Sequence, residues 1–171
     1  VIILHKTVPL TRGQPDVVEG VAAEGRSEDE VVLAAAAVDK GSDHPLAVAI
    51  VERAANLTLG AMSAFETLDG RGAKAEVAGK LVLVGNRRLM DEETVALGAL
   101  ADRAETPKGA GRTVVHVAEG GQVLGLIAIA DALRPTAKAA VAKLRERGVQ
   151  VAMLTGDNAG TAARIAGELG I

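Results

Sequence analysis

Near the C-terminus the chain reads Val149-Gln150-Val151-Ala152-Met153-Leu154, then Thr155-Gly156-Asp157-Asn158, then a helical pattern over 161–166. The first segment is an apolar run of strand length that stops at a polar turn. A strand followed by a turn and a helix brings polar side chains and free helix N–H groups to one point, where a phosphoryl oxygen can bind. The stretch therefore predicts an α/β fold with a phosphate site at the end of this strand.

The opening residues have the same pattern. Val1-Ile2-Ile3-Leu4 is an apolar strand run, and His5 follows it directly. If the two strands lie side by side in a parallel sheet, their carboxyl ends meet at one edge. The residues expected around one phosphate there are Lys6, Thr7, Thr155, Gly156 and Asp157.

Composition excludes several classes of function. The 171 residues are 49% hydrophobic, enough to bury real cores. The 19 basic and 22 acidic residues form no block of one sign, so nucleic-acid binding has no electrostatic support. With no cysteine and three scattered histidines, we expect no metal site within the chain. The apolar runs are shorter than the roughly 20 residues of a spanning helix, so we expect no direct membrane contact.

The pattern of predicted secondary structure divides the chain into two parts. Residues 1–13 and 129–171 have β–α character, whereas residues 14–128 read as shorter strands and helices punctuated by glycine. The middle part is therefore predicted to be inserted into the outer part. An α/β sheet of only two strands would be incomplete, so we expect the chain to be a piece of a longer polypeptide.

Capping and turn signals place the elements of the middle part. Ser27 and Glu30 form a capping box for a helix that ends near Gly41, and Pro45 begins a second helix capped by Ser42 or Asp43. One further helix is predicted over 91–103, and another in the outer part over 136–147. Strands are predicted over 64–68, 74–78, 81–84, 113–118 and 123–129, joined by hairpins into an antiparallel sheet.

Five motifs occur in a particular order along the whole chain. They are Ser42-Asp43-His44-Pro45-Leu46, Gly70-Arg71-Gly72, Gly85-Asn86, Asp131-Ala132-Leu133-Arg134-Pro135 and Met153-Leu154-Thr155-Gly156-Asp157-Asn158. In this order and spacing the chain resembles the cytosolic ATP-binding region of heavy-metal-transporting P-type ATPases. The resemblance implies an antiparallel-sheet nucleotide-binding domain with flanking helices, inserted into an incomplete Rossmann-like, haloacid dehalogenase-like phosphorylation domain.

The resemblance also implies roles for individual residues. His44 would stack on adenine, and Glu66 would contact the adenine amino group. The remaining residues expected at the ribose and phosphates are Gly70, Gly72, Gly85 and Asn86. Asp131 would lie near the phosphorylation site, although a helix-capping role for it is equally open. Each of the other motifs also has a plain alternative, such as an ordinary turn for a bare Gly-x-Gly.

The chain departs from this family at its start. The family signature is Asp-Lys-Thr-Gly-Thr-Leu-Thr, and here His5 replaces the aspartate that accepts the phosphoryl group, while Val8 and Pro9 replace Gly and Thr. A carboxylate attacks phosphorus and helps to hold Mg²⁺, and imidazole does neither in the same geometry. We therefore expect ATP binding without acyl-phosphate formation, and Mg²⁺ only in the complete parent protein.

For the parent protein, the resemblance implies ATP hydrolysis that drives metal translocation, at the cytoplasmic face of a membrane. Its partners would be ATP and the transmembrane and actuator parts of the same chain. Copper is favoured by Gly70-Arg71-Gly72-Ala73 and by the passage 127–131. Two alternatives stay open: a non-catalytic nucleotide-binding module, and a haloacid dehalogenase-like phosphatase, which would need an Asp after the first strand.

Overall fold

A computed structural model of the chain describes residues 1–5, 10–109, 111–156 and 159–171. The strands are β1 (Ile2–His5), β2 (Thr11–Ala22), β3 (Met62–Leu68), β4 (Gly72–Val77), β5 (Lys80–Gly85), β6 (Thr113–Glu119), β7 (Gln122–Leu133) and β8 (Val151–Leu154). The helices are α1 (Glu28–Asp39), α2 (Pro45–Arg53), α3 (Arg87–Glu92), α4 (Leu100–Gly109), α5 (Ala137–Glu146) and α6 (Ala159–Leu169).

Six strands form one antiparallel sheet in the order β2-β7-β6-β5-β4-β3. The predicted hairpins β4–β5 and β6–β7 are confirmed. Between β4 and β5 both turn residues have positive φ, 49° at Ala78 and 77° at Gly79, which suits the right-handed twist of the paired strands. The pairings β3–β4, β4–β5 and β6–β7 are local and joined by glycine-containing turns, whereas β2–β7 and β5–β6 join strands far apart in sequence.

The two helices α1 and α2 cover one face of this sheet. The predicted capping box of α1 is confirmed, because Ser27 Oγ accepts from the Glu30 N–H at 3.2 Å and Glu30 Oε2 accepts from the Ser27 N–H at 2.7 Å. Small apolar side chains of α1 pack on the sheet, and Val31, Ala35 and Val38 are completely buried. The opposite face packs against α3 and α4.

A smaller unit contains the chain ends. The strands β1 and β8 pair in parallel, from Ile2 opposite Val151 to His5 opposite Leu154, as predicted. The helices α5 and α6 complete this unit, whose buried core is Leu10, Ala137, Val141, Ile165 and Leu169.

The two long strands β2 and β7 join the small unit to the six-stranded sheet. Ile129 of β7 belongs to the core beneath α1, and Leu133, four residues on, packs in the core of the small unit. The division at residues 13 and 129 stays a prediction, because both strands run continuously through it.

Two predictions about elements fail. The single helix over 91–103 is wrong: α3 ends before Thr94, at φ 57°, and α4 begins after Gly98, at φ 52°. Left-handed backbone at both residues interrupts the helix that was predicted to fill this gap between strands. The strand β2 was not predicted, because Pro15 and Gly20 are uncommon in strand interiors. Pro15 is tolerated because β2 lies at the edge of the sheet, where a residue without an N–H fits.

Gly125 allows α1 to lie close to the sheet. A Cβ there would be 2.4 Å from the Val21 carbonyl oxygen and 2.6 Å from Val31 Cγ2. We expect Gly125→Ala to lower the free energy of unfolding by about 1–3 kcal/mol, because the methyl group forces the helix and the strand apart. Gly167→Ala is the control, since its Cβ would meet nothing within 4 Å in a helix. Equal denaturation midpoints for both variants would contradict this close contact.

Candidate functional site

A cavity of about 480 Å³ lies where α1 ends and α2 begins, facing the turn between β3 and β4. Its wall continues through the end of β5 and the start of β6. Five residues predicted from the motifs line it together: His44, Gly70, Gly72, Gly85 and Asn86. Segments more than 40 residues apart in sequence thus meet at one concave surface, of the size that small-molecule ligands occupy.

His44 is fixed at the cavity by a capping interaction. It is the N-cap of α2, and its Nδ1 accepts from the Leu46 N–H at 3.2 Å, while Ser42 Oγ accepts from the His44 N–H at 3.2 Å. The predicted cap at Ser42 or Asp43 is therefore wrong, because Pro45 at the first helical position leaves His44 as the cap. The bond requires a lone pair on Nδ1, which assigns the proton of the neutral ring to Nε2.

Glycines bring two backbone segments of the wall into direct contact. Gly72 has φ 145°, and a Cβ there would lie 2.1 Å from the Val84 carbonyl oxygen. A Cβ on Gly85 would lie 2.2 Å from the Arg71 carbonyl oxygen. Only glycine fits at either position, so these residues keep this side of the cavity free of side chains and let a ligand approach the backbone.

Asn86 joins the two turns. Its Nδ2 donates to the Gly70 carbonyl oxygen at 2.8 Å, and its Oδ1 accepts from the Leu89 N–H at 3.1 Å. The backbone N–H of Asn86 also donates to the Arg71 carbonyl oxygen at 2.8 Å. The residue therefore caps α3 and holds the Gly70-Arg71-Gly72 turn in place at the same time.

Asp39, the last residue of α1, is a site residue that the sequence analysis missed. It lines the cavity and is only 6% exposed, and burial raises the pKa of its carboxyl from 3.8 to about 7. The available signal was helical spacing, because Asp39 lies four residues after Ala35 and seven after Val32, both on the buried side of α1.

Glu66 lies outside the cavity wall. Its carboxylate pairs with Lys74 Nζ at 3.3 Å and is exposed. Adjacent strand residues point to opposite faces, and the neighbouring Phe65 packs into the core beneath α1 and contacts the end of that helix at Gly41. The structure therefore brings Asp39, rather than Glu66, to the cavity.

The predicted phosphate site is partly described. His5 lies opposite Leu154 at the carboxyl ends of β1 and β8, and Thr155 and Gly156 follow directly. Lys6, Thr7 and Asp157 lie outside the described residues, as do Val8 and Pro9.

Asp131 is a strand residue of β7, opposite Pro15. The cap position of α5 is Thr136.

The described residues do not provide a cage for Mg²⁺. No group of three or more His, Asp or Glu side chains among them could hold a metal ion. At the ends of β1 and β8 the described donors are the imidazole of His5 and the hydroxyl of Thr155. Mg²⁺ requires oxygen ligands, carboxylates above all, so these residues do not fit it.

None of the described helices is long and apolar enough to cross a membrane.

A protein-family model for haloacid dehalogenase-like hydrolases matches residues 9–171, and the chain belongs to this family. More narrowly, it corresponds to part of the cytosolic domain of heavy-metal-transporting P-type ATPases. The resemblance that the motifs indicated is thereby confirmed, as is the predicted fold class.

Relatives and solved structures support this placement. The chain is 43% identical to "Probable copper-exporting P-type ATPase V" of Mycobacterium tuberculosis (99% of this chain, 22% of that one) and 40% identical to the copper-exporting P-type ATPase of Bacillus subtilis (99% and 21%). It thus spans about a fifth of their length. A zinc-transporting PIB-type ATPase in the E2·Pi state matches with TM-score 0.89 and 40% identity (99% and 28%). The N-domain of a copper-transporting P-type ATPase matches with TM-score 0.53 and 32% identity (67% and 99%).

Asp39 makes stability depend on pH. Its carboxyl has a higher pKa in the folded chain than when unfolded, so the folded state binds more protons between about pH 4 and 7 and loses stability as the pH rises through that window. We expect Asp39→Asn to raise the free energy of unfolding by about 2–4 kcal/mol at about pH 8 and to change little at about pH 4. Urea denaturation at both pH values measures this, and a variant with an unchanged pH slope would contradict it.

Proposed function

We propose that this chain binds ATP in the cavity between α1, α2 and the β3–β4 turn. The observation that carries the proposal is the convergence of His44, the Gly70-Arg71-Gly72 turn and Gly85-Asn86 on one cavity of about 480 Å³. Such a volume accommodates adenosine, with room for phosphates towards the open side. The match to the haloacid dehalogenase-like family and to P-type ATPases supports a nucleotide as the ligand.

Each wall residue has a distinct part in this binding. The flat ring of His44 stacks on adenine, because the chain has no Trp or Tyr and its single Phe65 is packed in the core. A carboxyl oxygen of Asp39 accepts from the adenine amino group, in the role that Glu66 was expected to have. The glycine turns, held by Asn86, admit the ribose and phosphates against the backbone.

In the parent protein, we propose, this ATP-binding part supplies the energy for metal translocation at the cytoplasmic face of a membrane. Transmembrane and actuator parts of the same polypeptide would be its partners. Copper is the favoured cargo, in keeping with the names of the curated relatives, although a zinc transporter matches at 40% identity. Mg²⁺ would act only in the complete parent protein, where further residues would provide its oxygen ligands.

The first test separates stacking by His44 from its capping of α2. His44→Ala should lower ATP affinity by roughly tenfold, equivalent to about 1.4 kcal/mol, because the stacking ring is lost. His44→Asn is the matched variant: it keeps a strong N-cap and removes the ring, so it should bind as weakly as His44→Ala. Calorimetric titration without Mg²⁺ measures both. Wild-type affinity in His44→Asn would reduce His44 to a capping residue.

The second test concerns His5. Incubation with γ-labelled ATP and Mg²⁺ should give no hydroxylamine-sensitive acyl-phosphate, because no carboxylate follows the β1 strand. His5→Asp alone should recover little, since Val8 and Pro9 still replace the expected Gly and Thr. ATP affinity should stay nearly constant in this variant. Robust acyl-phosphate on the unaltered chain would instead make Asp131 or Asp157 the residue to examine.

A further inference from the structure

The cavity has an unusual balance of charge for a nucleotide site. Its described lining residues include two aspartates, Asp39 and Asp69, and one permanently charged cation, Arg71. A triphosphate brings several negative charges into this space. Binding without a cation near the phosphates would leave like charges facing one another in a partly desolvated site.

Arg71 is positioned by its main chain rather than by its side chain. Its N–H donates to the Leu68 carbonyl oxygen at 2.9 Å, and its own carbonyl oxygen accepts from the Asn86 N–H at 2.8 Å. The flanking glycines pack tightly against β5. The guanidinium is therefore carried on a fixed point of the wall, while its side chain, about one-third exposed, can change partner.

The guanidinium of Arg71 pairs with Glu92, which also pairs with Arg88. Arg71 Nη1 lies 2.7 Å from Glu92 Oε2, and Arg88 Nε lies 2.8 Å from Glu92 Oε1. Hydrogen bonds from Arg71 and then Arg88 lower the pKa of the Glu92 carboxyl, so it stays ionised at neutral pH. Two cations thus contact one carboxylate at the end of α3.

We propose that Arg71 is the phosphate-contacting residue of this site, and that its guanidinium exchanges Glu92 for a phosphate oxygen when a nucleotide with a phosphate chain binds. This inference rests on the proposed ATP binding. It identifies the residue that makes the binding affinity depend on the number of phosphates in the nucleotide. Arg suits the task because its planar fork of N–H donors matches phosphate oxygens.

The exchange is favourable because neither charge is left unpaired. When Arg71 leaves, Glu92 keeps its contact with Arg88. The two residues lie four positions apart on α3, so their side chains are neighbours on the helix surface. Both ion pairs are partly exposed to solvent, so breaking one costs little. Glu92 therefore holds Arg71 near the cavity in the free chain and competes only weakly with a triphosphate.

The test compares ATP with adenosine in titrations of the whole chain. Arg71→Gln should weaken ATP binding by about five- to tenfold and adenosine binding by less than twofold, because only ATP presents phosphates. Arg87→Gln is the matched control: it removes the same charge from α3, where Arg87 pairs with Asp91 at 2.8 Å, outside the cavity wall. It should change ATP affinity by less than twofold.

The converse variant removes the competitor. Glu92→Gln should strengthen ATP binding by about two- to fivefold, because Arg71 is then released, and Asp91→Asn controls for the loss of one negative charge on α3. The inference is overturned if Arg71→Gln leaves ATP binding unchanged, if it weakens ATP and adenosine equally, or if Glu92→Gln acts no differently from Asp91→Asn. ATP binding that depends on His44 but not on Arg71 would overturn this inference alone, whereas no ATP binding by the unaltered chain would overturn the proposed function as well.

Discussion

The burial of α1 against the six-stranded sheet is the contact on which the rest of the structure depends. The helix is composed almost entirely of Ala and Val after its acidic first turn, and these small side chains let it lie close to β2, β4, β5 and β7. Its length then fixes where the chain leaves the sheet, at Asp39. The short connection to α2 follows directly, so the packing of α1 on the sheet brings Asp39 and His44 to the same cavity.

The opposite wall is built from backbone rather than from side chains. Gly72 and Gly85 place β4 and β5 in direct contact, and Asn86 ties the Gly70 carbonyl to the first turn of α3. Both polar atoms of the Asn86 side chain already make hydrogen bonds, to Gly70 and to Leu89. The main contribution of Asn86 is therefore to keep the cavity wall rigid. A rigid wall binds a flexible ligand at lower entropic cost, since little of the wall has to be ordered on binding.

Local sequence signals predicted the elements that are stabilised locally. The capping box at Ser27 and the hairpin turns follow from short-range chemistry, and the parallel pairing of the end strands was predicted from their matching apolar runs. The failures have a different origin. The break between α3 and α4 depends on left-handed backbone at Thr94, which no propensity of Thr predicts, and the position of Asp39 in the cavity wall depends on how α1 packs on the sheet. The resemblance named motif residues that line one cavity, and three-dimensional packing adds Asp39 to them.

The two ends of the proposed nucleotide site are stabilised independently. The cavity wall depends on the core beneath α1, whereas His5 lies at the end of β1, a strand stabilised by main-chain pairing with β8 and by the separate core around Val141 and Ile165. Neither of those stabilising contacts requires a carboxylate at position 5. A histidine at this position is therefore compatible with a fold that matches a zinc-transporting PIB-type ATPase at TM-score 0.89. Similarity of fold at 40% identity supports the proposal that the chain binds a nucleotide. Whether phosphoryl transfer takes place has to be judged from the few residues that would carry it out.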